Sequence, residues 1–277
     1  MDTLTSRKPV EAVIAAMGST TARRPDLIKR GLTDWDLQRA VAEGRVRRLA
    51  RSVYALPDAT AFDVLLATNQ AQLGCFSRAE KMGLWVLNTP PIPHVAVIHG
   101  RPVPGCKVHR FKGRLTLWDV LRHCVQCGTE LEALCAVESA LVKKKCTMSQ
   151  LRRVFDKRKD AAMRRILDKV DPQSQSIAET CGRYCLRDAG FNVQGQASVR
   201  GMGHLDLLVE GILGVETDGE KYHNSASAWA EDLRRLNVLT IRDVPTLHVK
   251  ASDAMYHPEV MVELVRNALR TLENRRH

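Results

Sequence analysis

The stretch GHLDLLVEGILGVETDG, residues 203–219, constrains this chain more than any other. Two runs of strand-forming apolar residues, HLDLLV and ILGVET, flank Gly211 and predict a β-hairpin turning there. With the turn at Gly211, Asp206 faces Glu216 across the ladder, with Cβ atoms about 5 Å apart. Alternation puts Glu216 and Asp218 on one face. Like charges at that spacing repel and destabilise a sheet. A divalent cation between them reverses the sign, and hard cations such as Mg²⁺ take carboxylate oxygens. An ion held in that way generates hydroxide and stabilises charge on a phosphoryl group. The alternative is a hairpin end that exposes its acids to water. That alternative accounts for Asp218, beside Gly219, better than for Asp206, whose neighbours are apolar.

The segments around the hairpin read helix, strand, hairpin, helix, strand, helix. SQSIAETCGRYCLRDAG has Ser176 at an N-cap position, Glu179 at capping-box spacing and Gly190 as its stop. FNVQGQASV is strand-like, SAWAEDLRRLNVLTIRD helical, TLHV a short strand and HPEVMVELVRNALRTLEN an amphipathic helix. DKVDPQSQS interrupts the preceding helical pattern, so a C-terminal α/β domain over 171–277 is expected, with a mixed central sheet flanked by helices.

At the other end, helices are predicted over 8–17, over 21–30 with Gly31 closing, and from Thr33 to Gly44. Thr33 is the N-cap of the third, and Asp34 and Asp36 load its first turn. RVRRLARSVYALP follows, with Val46, Leu49, Val53 and Tyr54 as strand formers and a turn near Ala50–Ser52. Three short helices and a basic hairpin are the pattern of a winged helix-turn-helix over 1–57. Its third helix would enter the major groove of double-stranded DNA. Arg45, Arg47, Arg48 and Arg51 would lie along phosphates, with Lys29, Arg30, Gln38 and Arg39 as further contacts. A solvated charged hairpin in a protein–protein module is the alternative. The formal net charge of +11 favours a polyanionic partner.

Residues 58–170 read as an α+β middle domain. AFDVLLATNQAQLGCFSRAEKMGLWVL suggests two helices, HVAVIH and KVHRF suggest strands, and SQLRRVFDKRKDAAMRRILDKV suggests one basic helix. His94, His99 and His109 share the strand region, but no cysteine or carboxylate pattern accompanies them. His123, Cys124 and Cys127 form a single C-x-x-C with an adjacent histidine and no second pair at ligand spacing. The eight cysteines therefore read as ordinary buried thiols. No apolar signal segment opens the chain and no run of 18 apolar residues occurs, so a cytoplasmic, membrane-free protein is expected.

Asp206, Glu216-x-Asp218 and a preceding helix with Glu179 resemble the PD-(D/E)XK nuclease superfamily. The segment from Ser176 to Val249 resembles its very-short-patch-repair-like endonuclease domain more closely, through Gly190, Gln196, Asp218-Gly219-x-x-x-His223, Asp232 and Arg235. The front of the chain resembles AbiEi-type antitoxins and regulators. The resemblance implies a Mg²⁺- or Mn²⁺-dependent DNA endonuclease in phage defence or DNA repair. Glu179, Asp206 and Glu216 would be ligands, with Asp218 as a further candidate, His223 as general base or acid and Asp232 and Arg235 in support. The superfamily's usual lysine is Asp218 here, and Lys221 or His223 would replace it. The alternative is a regulator or antitoxin, paired with a cognate toxin or other protein, that keeps the nuclease fold as a scaffold.

Overall fold

The computed structural model describes residues 8–50, 52–219 and 226–275, apart from the side chains of residues 226–229 and Asp232. The architecture is mixed α and β, with parallel and antiparallel strand pairs. It divides into two compact units. One runs to Arg78 and resumes over Pro90–Thr116; the other comprises Ala79–Thr89 and the chain from Leu117 onward.

The first unit begins with α1 (Val10–Ala16), β1 (Thr21–Arg23), α2 (Arg24–Ile28), α3 (Asp34–Ala42), β2 (Arg47–Ala50) and β3 (Val53–Ala55). The three strands form an antiparallel sheet in the order β1-β3-β2. The helix expected over 21–30 is a strand followed by a shorter helix. Pro25 has no N–H to donate to an earlier turn, so it is tolerated only where a helix starts. Thr21–Arg23 instead pair with Val53–Ala55. At the start of α3, Thr33 Oγ1 accepts from Asp36 N–H and Asp36 Oδ2 accepts from Thr33 N–H, a reciprocal cap. Ile14, Leu27, Leu37, Ala40, Val46 and Tyr54 close the core.

Next come α4 (Ala61–Thr68), β4 (Gln72–Leu73), α5 (Cys75–Lys81), β5 (His94–Val97) and β6 (Lys107–Arg110). β5 lies between antiparallel β4 and parallel β6 and is buried along its whole length. Gly74 is required by a close approach. A Cβ there would stand 2.9 Å from Ala96 Cβ and 3.0 Å from its backbone N.

In the second unit α6 (Leu117–Cys127), α7 (Glu130–Val142), α8 (Met148–Val154) and α9 (Ala161–Leu167) precede the sheet. The basic segment expected to be one helix is broken between α8 and α9, with a 3₁₀ turn at Arg158–Asp160. The break falls at Phe155, which is fully buried. Arg164 Nη1 donates to the carbonyls of Phe155 (3.3 Å) and Lys157 (2.6 Å), so groups that leave the helical ladder are still satisfied.

α10 (Ile177–Asp188), β7 (Val193–Val199), β8 (Gly203–Val209), β9 (Leu213–Asp218), α11 (Ala226–Ile241), β10 (Thr246–Lys250), α12 (Ala251–Tyr256) and α13 (Pro258–Asn274) complete the chain. The sheet order is β10-β9-β8-β7, antiparallel except for the β9–β10 pair. Leu207↔Val215, Leu208↔Gly214 and Val209↔Leu213 set the register that the alternation predicts, centred on Gly211. Glu210 (φ 50°) and Gly211 (φ 69°) are both left-handed, and Ile212 N–H returns to Val209 O at 3.1 Å, as in tight hairpins. Ala178, Leu186, Leu207, Val215, Met261 and Val265 join α10, the sheet and α13 in one core.

A buried ion pair ties α7 to α10. Arg183 and Glu138 are 1% and 0% exposed and hydrogen-bond directly. Glu138 also accepts from Asp171 N–H (2.7 Å) and Thr180 Oγ1 (2.5 Å), while Arg183 Nη1 donates to Ser174 Oγ at 2.5 Å. Burial pushes the Glu138 carboxyl up, and Arg183 opposes that shift. The network anchors residues 171–174, which lead into the α10 cap.

Candidate functional site

The four-stranded sheet opens at Asp206. β7 and β8 pair at Gly195↔Leu207 and again at Ala197↔Leu205, but Gln196, which this register sets opposite Asp206, is skipped. On the other side the β8–β9 ladder ends at Leu207↔Val215. Asp206 Oδ2 instead accepts from Thr217 N–H (2.8 Å) and Thr217 Oγ1 (2.9 Å), so a side chain fills the place of a ladder bond. Gln196 has φ 47°, a left-handed backbone rare for a residue with a Cβ.

That turn of the backbone sends Gln196 Nε2 to Glu179 Oε2 at 2.8 Å. The same oxygen accepts from Gln175 N–H at 2.9 Å, and Gln175 Nε2 donates to Gln196 Oε1. Ser176 Oγ caps Glu179 N–H at 3.1 Å. The expected capping box is thus half made: the Glu179 carboxylate serves Gln175 and Gln196 rather than Ser176 N–H. Glu179 is 4% exposed, and its carboxyl is raised by burial, with Asp206 adding to the rise.

Glu216, 8% exposed, is the third acid. Burial pushes its carboxyl up to about 7, with Asp206 and Asp218 adding to the rise and Arg235 and His248 opposing it. Arg235 Nη2, from α11, donates to Glu216 Oε1 at 3.0 Å and to His204 O at 3.2 Å. On the parallel neighbour β10, His248 sits opposite Glu216, and its Nδ1 lies 2.7 Å from Asp218 Oδ2. Among the described residues Asp206 Oδ1, Glu179 Oε1 and Glu216 Oε2 make no hydrogen bond. Each acid is thus held through one of its two oxygens. The three acids surround one interruption of the sheet without closing to the mutual spacing of a filled metal site.

Lys221, His223 and Arg51 lie outside the described residues, as does the side chain of Asp232. In the first unit, Gln38, Arg39, Arg47 and Arg48 are exposed on α3 and β2. Lys29 and Arg30 are exposed just beyond α2, where Arg30 Nη1 donates to Asp26 O at 3.1 Å. Two of the basic residues are held by acids. Arg45 bonds Glu11 (2.6 Å) and Glu43 (2.7 Å), and Arg39 bonds Glu43 (2.7 Å) while its guanidinium lies 5.2 Å over the Trp35 ring. Trp35 itself is 61% exposed, an aromatic on the same open helix face that charge counting passes over.

Thr217, Gln175 and His248, the partner of Asp218, are not among the site residues expected from the sequence. The alternation of β9 and a short partner strand were the only signals available for them. Comparison with protein-family models, with curated proteins and with solved structures finds no match for the chain. Among the described residues no helix is long and apolar enough to cross a membrane.

Proposed function

We propose that the chain is a DNA-binding protein whose second unit carries a metal-dependent endonuclease site of the PD-(D/E)XK, very-short-patch-repair-like type. The carrying observation is the arrangement of Glu179, Asp206 and Glu216. Three elements supply them to one opening of the sheet, and each presents an oxygen that makes no hydrogen bond among the described residues. An all-oxygen donor set suits Mg²⁺ or Mn²⁺. Such an ion, when bound, supplies a hydroxide and charge stabilisation at a phosphoryl group.

The protein's own groups have separate tasks in this scheme. Thr217 and Gln196 fix the carboxylates they touch. Arg235 neutralises Glu216 while no cation is there, and its guanidinium can turn to a phosphate oxygen once Glu216 is engaged. His248 is oriented by Asp218 at the same sheet edge. His223 is the proton carrier that the family resemblance suggests. Asp218, at the place of the usual lysine, keeps a carboxylate where that family places a cation.

In the first unit, α3 and the β2–β3 hairpin would serve as a winged helix-turn-helix. Trp35, Gln38 and Arg39 would face the groove, and Arg47 and Arg48 the phosphates. One observation favours the second reading, a non-catalytic regulator or antitoxin. The Arg235–Glu216 ion pair offsets part of the acid's charge without any metal.

Plasmid DNA incubated with Mg²⁺ or Mn²⁺ separates the two. Nicking by the wild type that is lost in Asp206→Ala and in Glu216→Ala is the expected result. Retarded DNA with no cleavage, abolished when Arg47 and Arg48 are both replaced by alanine, would instead support the regulator.

A further inference from the structure

The first unit brings a cysteine to the histidines that the sequence left without one. Cys75 Sγ and ring nitrogens of His94 and His109 all lie within 4.8 Å of one another. The three residues come from α5, β5 and β6. His109 pairs with Ala96, two residues along β5 from His94, so both imidazoles project from the same side of the β5–β6 ladder. Their ring centroids are 5.3 Å apart. Cys75 is 0% exposed and His94 6%, so an ion among them would be largely shielded from water.

The backbone is built to deliver the thiol. Gly74 passes so close to β5 that no side chain is tolerated at position 74 against Ala96, and its N–H bonds His94 O at 2.9 Å. Cys75 follows with φ 47°, left-handed at a residue with a Cβ. Ser77 Oγ then accepts from His94 N–H at 3.0 Å. Left-handed backbone at a residue with a Cβ is costly and is held by the surrounding contacts.

We propose that this cluster binds a soft divalent cation, Zn²⁺, on Cys75 Sγ, His94 and His109. Thiolate and imidazole donors select zinc over magnesium. Donors about 2.0–2.3 Å from a tetrahedral ion stand roughly 3.3–3.8 Å apart, so side-chain movements of about 1 Å close the site. A water completes the fourth position. The ion would fasten the start of α5 to β5 and β6. The site is independent of the carboxylate centre and does not rest on the nuclease reading.

The test is metal analysis of the full chain purified without chelator, together with Co²⁺ substitution. About one zinc per chain is expected, and Co²⁺ is expected to give the thiolate charge-transfer band and the intense visible bands of a tetrahedral site. Cys75→Ser and His109→Asn should each weaken zinc binding by more than about tenfold. Asp206→Ala and Glu216→Ala should leave zinc content unchanged. Should the cysteine variant fail to fold, the cobalt spectrum of the wild type still decides. A wild type that retains no zinc and gives no tetrahedral cobalt spectrum would overturn the proposal, as would a thiolate-free, octahedral spectrum.

Discussion

Glu216 and Gln196 are the two residues at which the carboxylate site can be tested one side chain at a time. The Glu216 carboxyl is raised to about 7 from its ordinary 4.5, burial being the main cause. Between those values the folded chain keeps a proton that the unfolded chain has released. The stability this contributes is complete below pH 4.5 and is lost as pH rises through about 7. Glu216→Gln removes that loss. At pH 8 without divalent ions it should be more stable than wild type by up to about 3 kcal/mol, with the two converging near pH 4. Urea unfolding across that range checks this, and parallel curves would refute it. Gln196→Gly relieves a left-handed backbone, so stability should hold within about 1 kcal/mol while Mn²⁺ affinity falls, because Glu179 loses its orienting amide. Calorimetry and unfolding on one sample would show the split. Asp206 and Glu216 were legible from alternation around Gly211. The Gln196 conformation and the Arg235–Glu216 bond were not, because both depend on where a distant element packs.

At the scale of elements, the α7–α10 contact holds the segment that presents Glu179. Arg183→Met leaves Glu138 buried without its cation and should cost about 3–5 kcal/mol, whereas the double variant Glu138→Leu/Arg183→Met should regain most of it. Thermal unfolding of the two single variants and the double variant measures the coupling. Equal losses in single and double variants would show that packing, rather than the stranded charge, sets the cost. α10, α11, α13, the β-hairpin and the short last strand of the second unit follow from periodicity and turn residues, which act locally. The same logic misread 21–30, where a strand partner thirty or more residues away takes Thr21–Arg23 and Pro25 resets the helix start. It also missed the break at Phe155, where a buried aromatic and the Arg164 guanidinium override a continuous helical pattern. The Cys75–His94–His109 cluster escaped for a related reason. Its spacing in sequence has no motif, and only the β5–β6 register and the Gly74 approach assemble it.

For the whole molecule, the excess of 11 positive charges is the property to probe with DNA. If the first unit grips a duplex, replacing Arg47 and Arg48 by alanine should weaken binding at low salt and reduce the slope of log affinity against log salt by about 2. Titrations by fluorescence anisotropy at several salt concentrations report that slope, and an unchanged slope would move the contact surface elsewhere. The role of the second unit turns on whether Glu179, Asp206 and Glu216 take up a hard divalent cation. The most direct measurement is calorimetric titration of Mn²⁺ into metal-free wild type and Asp206→Ala at pH 8. One bound Mn²⁺ per wild-type chain, with the heat lost in the variant, is the predicted result. Identical heats in the two proteins, or none in either, would contradict it.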